Sequence, residues 1–347
     1  MSRPGKILLL LLPLTLAGVW LAHCSAAPED ADIRIAPQPP APLSSFPSET
    51  AGATIASADQ PTADEGTSLA DGWYDYIRTS QLPEHRRAAA LLETDPQIKR
   101  VRLQRLLQET PDDPLLKMQL ADLCLQQRQA EACNGQLYEQ LALFDGDNGT
   151  IRDYRVLLAW QDRDEASSLQ ELQEGARSHY SDDLWAGQLQ ILGDSLTAFG
   201  MEERNQAWFE AVSGYAAALP NNSGWELLQL CRAQQFDNDW QDACRARGLN
   251  LTDSGRSLMQ RLLGLSLASA VSEPQDPEVA VSRAQLQEIQ QYISEGLADP
   301  AWQSAGGRAA VINDTQWQVF LDILASEGEV AAIEYLRGVL AEQQSNG

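Results

Sequence analysis

A chain of 347 residues with 44% hydrophobic and 21% charged side chains carries enough apolar material to build a core, which excludes a wholly disordered protein. Its 25 basic residues face 49 acidic ones, a net charge of −24, and a surface of that sign repels nucleic acid and anionic lipid headgroups at long range. Three histidines and five cysteines leave little material for a metal centre or for nucleophilic catalysis.

The first segment reads as an export signal. Arg3 and Lys6 precede an apolar run over residues 7–22, broken at Pro13. Sixteen residues fall short of the roughly 20 that a membrane-crossing helix requires, so a signal is expected rather than an anchor. Taking Arg3 and Lys6 away leaves 23 basic against 49 acidic residues, a net −26. The segment ends in Leu21-Ala22-His23-Cys24, which resembles the bacterial lipoprotein signal, with His23 where that family carries Gly, Ala or Ser. The resemblance implies that Cys24 is lipidated and becomes N-terminal, and Ser25 after it implies the outer membrane, facing the periplasm. Cleavage after Ala26, giving a soluble periplasmic protein, is the other route these residues leave open.

Residues 25–70 hold seven prolines, many small polar residues and one aromatic, Phe46. Such a composition cannot offset its ordering entropy, so a disordered tether is expected, with a root-mean-square span of roughly 37 Å by random-coil scaling.

The cluster Trp73-Tyr74-Asp75-Tyr76 marks where order should begin, in an all-α domain over 71–347 with possible divisions near 146–150 or 220–224. Helices are predicted at 84–92 and 97–108, each behind a proline suited to a first turn, then at 115–127 and 130–144. A break at 145–149 precedes helices at 151–160, 165–179, 182–199 and 202–219. A turn at 221–224 leads to 225–235 and 239–247, followed by 254–271, 277–297, 314–326 and 329–343. No stretch alternates as a strand would, and the sum is a helical-hairpin solenoid or an irregular helical array.

Four cysteines remain after Cys24, spaced as Cys124-x8-Cys133 and Cys231-x12-Cys244. In an oxidising compartment an even number implies disulfides, and two local bridges, each locking a helical hairpin, are the economical pairing. Residues 111–145 resemble one tetratricopeptide repeat: Leu120 and Ala121 match its large–small pair, Leu137 an apolar position on its second helix, and Pro111 the proline ending a preceding unit. Lys117 and Asp145 depart from that pattern, and no fixed period runs through the remainder.

The search for chemistry is mostly negative. Asp145-Gly-Asp-Asn-Gly brings its glycine one residue early for a calcium loop, and Arg155 and Val156 stand where the bidentate glutamate belongs. His85 and His179 are expected in structural or surface roles, and no glycine-rich phosphate loop is present. No catalytic, cofactor-binding or metal-binding residue is therefore assigned. Trp160, Trp185, Trp208, Trp225, Trp240 and Trp317 fall in or beside expected helices and are read as core, leaving Trp73 and Trp302 as exposed partner-binding candidates. The expected function is a non-enzymatic envelope scaffold or adaptor with an acidic concave face, lined by aromatic anchors, for a protein or peptide partner of basic character. An inhibitor or immunity lipoprotein against a basic secreted toxin is one alternative, and a peptidoglycan-active enzyme with an unrecognised site is the other.

Overall fold

Capping chemistry sets most of the helix starts. The Asp95 side chain accepts from the backbone N–H groups of Gln97 and Ile98, and Asp237 does the same for Asp239 and Trp240. Ser257 with Gln260, and Asn313 with Gln316, close reciprocal capping boxes. The structure, a computed structural model, describes residues 69–126, 135–217, 219, 222–297 and 312–346. Over those residues it is all-α, as expected. Cys24, Cys133, Trp302 and the 25–68 part of the expected tether lie outside the described residues.

The helices are α1 Leu69–Ile77, α2 Pro83–Leu92, α3 Pro96–Glu109, α4 Pro114–Gln126, α5 Gly135–Asp145, α6 Gly149–Gln161, α7 Glu165–Gly175 and α8 Trp185–Ala198. They continue as α9 Gln206–Ala217, α10 Asn222–Ala233, α11 Asn238–Ser254, α12 Leu258–Val271, α13 Pro277–Leu297, α14 Asp314–Ser326 and α15 Glu329–Asn346. Residues 73–347 group as one compact unit.

Several boundaries differ from expectation by a few residues, and the two largest shifts at helix ends have a local cause. The helix expected over 165–179 ends at Gly175, because the chain turns at residues 176–177 and leaves the helical course until α8. Tyr180 bridges Asn148, and Ser181 bridges Gly255. His179 is therefore exposed in this connector rather than at a helix end. The helix expected to stop at Arg247 runs on to Ser254, and the break falls at residues 255–257, where the Ser257 cap starts α12. Gly248 and Gly264 explain how α11 and α12 lie so close. A Cβ on Gly264 would stand 2.4 Å from the Thr252 nitrogen, and one on Gly248 would stand 2.4 Å from that of Ala268. Only hydrogen fits at either position.

One apolar core gathers around α8. Leu189, Ile191, Leu192 and Leu196 of that helix pack with Trp73 and Ile77 of α1, Ala88 and Leu91 of α2, Trp208 and Val212 of α9, Trp317 and Phe320 of α14, and Leu336 and Leu340 of α15. Trp208 and Trp317 meet edge to face at 4.9 Å, and Gly193 makes room for the indole, since a Cβ there would lie 2.8 Å from it.

This core overturns one expectation. Trp73 is fully buried and its indole N–H donates to Ser195 Oγ at 3.0 Å, so it is an anchor of the core and not an exposed contact. Tyr215 also packs edge-on against it. Of the tryptophans read as core, Trp208, Trp240 and Trp317 are buried, whereas Trp225 is 46% exposed.

Cys231 and Cys244 form a disulfide between α10 and α11, with Cα atoms 5.8 Å apart. Cys124 is disulfide-bonded as well. The two described lysines beyond the signal, Lys99 and Lys117, are both buried. Lys99 donates to the Leu91 carbonyl at 2.9 Å, and burial lowers its pKa to about 8.

Candidate functional site

Two Asp-Asp pairs, at 112–113 and 182–183, each stand just ahead of a helix, and three of their four carboxylates line an open cleft. In the 110–114 turn, prolines at 111 and 114 stiffen the chain, and Asp113 Oδ1 accepts from the Leu115 and Leu116 amides to start α4. In the connector before α8, Asp182 Oδ1 accepts from the Leu184 amide at 2.8 Å. Between these turns and the flank of α8 lies an open cleft of ≈ 610 Å3. Its carboxylates are Asp112, Asp113, Asp182 and Asp194, and Arg87 is its one basic residue. Leu115, Leu184 and Ile191 supply its apolar surface.

Leu184 sits in the left-handed region, at φ 59°, which a branched side chain rarely adopts. Its neighbours hold it there. Asn148 donates to the Asp182 carbonyl at 3.0 Å, the Asp182 amide donates to Asn148 Oδ1 at 3.0 Å, and Gln188 donates to the Asp183 carbonyl at 2.9 Å. Strain of this kind persists only where surrounding bonds over-determine it.

Charge within the cleft is unevenly balanced. Asp113 pairs with Arg87 at 2.5 Å, and Asp182 with Arg256 at 3.0 Å. The Arg256 guanidinium also stacks over the Tyr180 ring, 4.1 Å from its centroid, while the Tyr180 hydroxyl donates to Asp145. Burial raises the pKa of Asp182 against the pull of Arg256, and it raises that of Asp194 against Arg204 and Arg87.

Behind the cleft wall stands Asp183. Burial first, and then the charge of Asp182, push its carboxyl up to about 7. Ser257 donates to Oδ2 at 3.2 Å, and Oδ1 is buried with no hydrogen-bond partner. Glu329, raised by burial as well, accepts from the Leu258 amide nearby.

A second polar centre lies deeper. Arg247, fully buried, forks onto both oxygens of Asp153 at 2.8 and 2.6 Å. Its remaining donors reach Ser181 Oγ, Asn250 Oδ1 and the Gly175 carbonyl. Every partner is a group of this chain, so the centre joins α6, α7, α11 and the connector and is not arranged around a ligand.

The expected site residues fare as follows. Trp73 is in the core and far from display, and Cys231 and Cys244 are bridged. No aromatic side chain lines the cleft, so the expected aromatic anchors are absent from it among the described residues. His85 is fully buried: its Nε2 lies 3.1 Å from the Ser195 carbonyl, which can only accept, so Nδ1 accepts from the Ser80 hydroxyl at 2.7 Å. Both nitrogens are spent on structure, and desolvation lowers its pKa. Among the described residues, no group of His, Cys, Asp and Glu side chains could hold a metal ion, and no helix is long and apolar enough to cross a membrane.

The cleft residues Asp112, Asp113, Asp182 and Asp194 were missed in the sequence. The usable signal was the repeated Asp-Asp immediately before a helical run, at 112–113 and 182–183. No family model, curated protein or solved structure matches the chain.

Proposed function

We propose that the protein is a non-enzymatic scaffold of the bacterial cell envelope that seats a cationic stretch of a protein or peptide in the acidic cleft. A lipid on Cys24 and the proline-rich segment before the folded unit would hold it at the outer membrane, facing the periplasm. The observation that carries the reading is the cleft itself: four carboxylates around one arginine, over an aliphatic floor. A lysine or arginine side chain matches both parts, because its stem packs on Leu115, Leu184 and Ile191 while its head meets carboxylates. The volume lies in the range of ordinary ligand clefts. Catalysis is the weaker reading, since Asp183, the described carboxyl poised near 7, sits against Ser257 and is not among the cleft-lining residues.

Fluorescence anisotropy with labelled arginine-rich, lysine-rich and acidic peptides tests this. Binding of the cationic peptides alone is expected, and it should weaken steeply with salt. Replacing Asp112 and Asp194 together by Asn should cost about tenfold in affinity, at roughly 0.7 kcal/mol for each exposed charge. Equal binding of acidic peptides, or an unaffected double variant, would defeat the proposal.

A further inference from the structure

Helix α3 is anomalous in this acidic chain. Of its 14 residues, Lys99, Arg100, Arg102 and Arg105 are basic and only the terminal Glu109 is acidic. It also carries apolar residues off its buried face. Leu103 and Leu106 are buried against the rest of the fold, with Lys99 turned inward beside them. On the other side Ile98 and Val101 stand 45% and 64% exposed.

At 100° per residue, Val101, Arg105, Ile98 and Arg102 share a sector about 100° wide on that outer side. The acids in and beside that sector are engaged: Glu109 falls inside it by the same spacing, and Asp95 at its edge caps the Gln97 and Ile98 amides. Glu109 is held by both Arg86 nitrogens at 2.9 and 2.8 Å, and Glu93 faces Arg102 at 3.5 Å. Arg102 also donates to the Arg78 carbonyl, which extends the basic face to the turn after α1, where Leu82 is 45% exposed.

We propose that this outer face of α3 rests on an anionic phospholipid bilayer. Charge complementarity selects the sign: arginines on a helix attract acidic headgroups, while their stems and the branched aliphatics between them enter the headgroup boundary. The shape selects a bilayer over a protein. A stable protein interface is centred on side chains seated in packed pockets, and a convex helix surface bearing one isoleucine and one valine offers no such pocket. A deformable lipid interface accepts such shallow side chains. The net negative charge of the whole chain does not forbid this contact, because charges beyond a Debye length of about 8 Å are screened at physiological salt.

The test is amide hydrogen exchange of the full chain with bilayer nanodiscs of phosphatidylcholine alone or mixed with phosphatidylglycerol. Exchange over residues 96–108 should slow about fivefold or more in the anionic discs only, since about 1 kcal/mol per arginine at such a surface corresponds to that factor. Arg105→Gln with Val101→Ser should abolish most of the slowing, while an unchanged melting temperature shows that the variant is folded. Equal exchange in both discs would overturn the proposal. So would slowing that appears without lipid and grows with protein concentration, which would make a second copy the occupant.

Discussion

Two regions of this molecule are held together on opposite terms. Around α8, a nest of indole, phenyl and branched side chains fills volume, and its attraction is non-directional. It even leaves the indole N–H groups of Trp208 and Trp317 without acceptors. Around α11, by contrast, almost nothing is left unmatched. Arg247 spends its donors on Asp153, Ser181, Asn250 and Gly175, and the paired glycines bring the α11 and α12 backbones into direct contact. The first region depends on how much is buried, the second on where each atom stands. Substitutions that keep volume should therefore be mild in one and severe in the other.

The largest effect is expected from Trp208→Ala, which empties the centre of the nest and should cost about 5 kcal/mol in a denaturant titration. Trp208→Phe should cost much less, because the lost N–H had no acceptor.

Asp153→Ala comes next, at about 4 kcal/mol, because it strands the Arg247 charge. Combining it with Arg247→Met should recover part of that loss. If the double variant is as unstable as the sum of its parts, the pair is not the directional lock that the contrast requires.

Gly264→Ala should cost about 2 to 3 kcal/mol, although alanine is the better helix former, because its methyl would meet the facing backbone. A neutral or stabilising result would mean the seam can open.

The last effect is a slope, and per unit of pH it is the smallest. The Asp183 carboxyl is raised from 3.8 to about 7 in the fold, so the protonated form is the favoured one. Its contribution is fully present below about pH 4 and is lost as pH rises through 7, at up to about 1.4 kcal/mol per pH unit. Asp183→Asn should flatten stability across that window. An unchanged slope would show that Asp183 is not the titrating group.

How much of this was legible beforehand follows the same division. The apolar periodicity that fills the nest is a property of each helix alone, so helices such as 277–297 and 314–326 could be delimited from their own residues. The polar contacts are not local. Nothing near Arg247 in the chain points to Asp153, 94 residues away, and the course of the connector at Tyr180 and Ser181 depends on edges supplied by Asn148 and Gly255. Exposure of single tryptophans was illegible for the same reason: Trp73 is buried by α8 and α9, and Trp225 is left open by the absence of any described cover. The cleft was half legible. Its acids were visible as an excess, but their convergence required the 110–115 turn and the 182–187 connector to meet across seventy positions.

The membership of the α8 nest also bears on the order in which the molecule can be assembled. Trp73 and Ile77 come from its first described helix and Leu336 and Leu340 from its last, and both pairs share one buried cluster. A chain emerging N-terminus first has therefore made the hydrophobic surface of α1 and α2 long before the partners that cover it exist. No partial length can close that core, so the nascent protein must keep α1 and α2 from sticking elsewhere until α15 is released. Trimming the C-terminus even by that one helix should leave a sticky intermediate instead of a smaller stable protein.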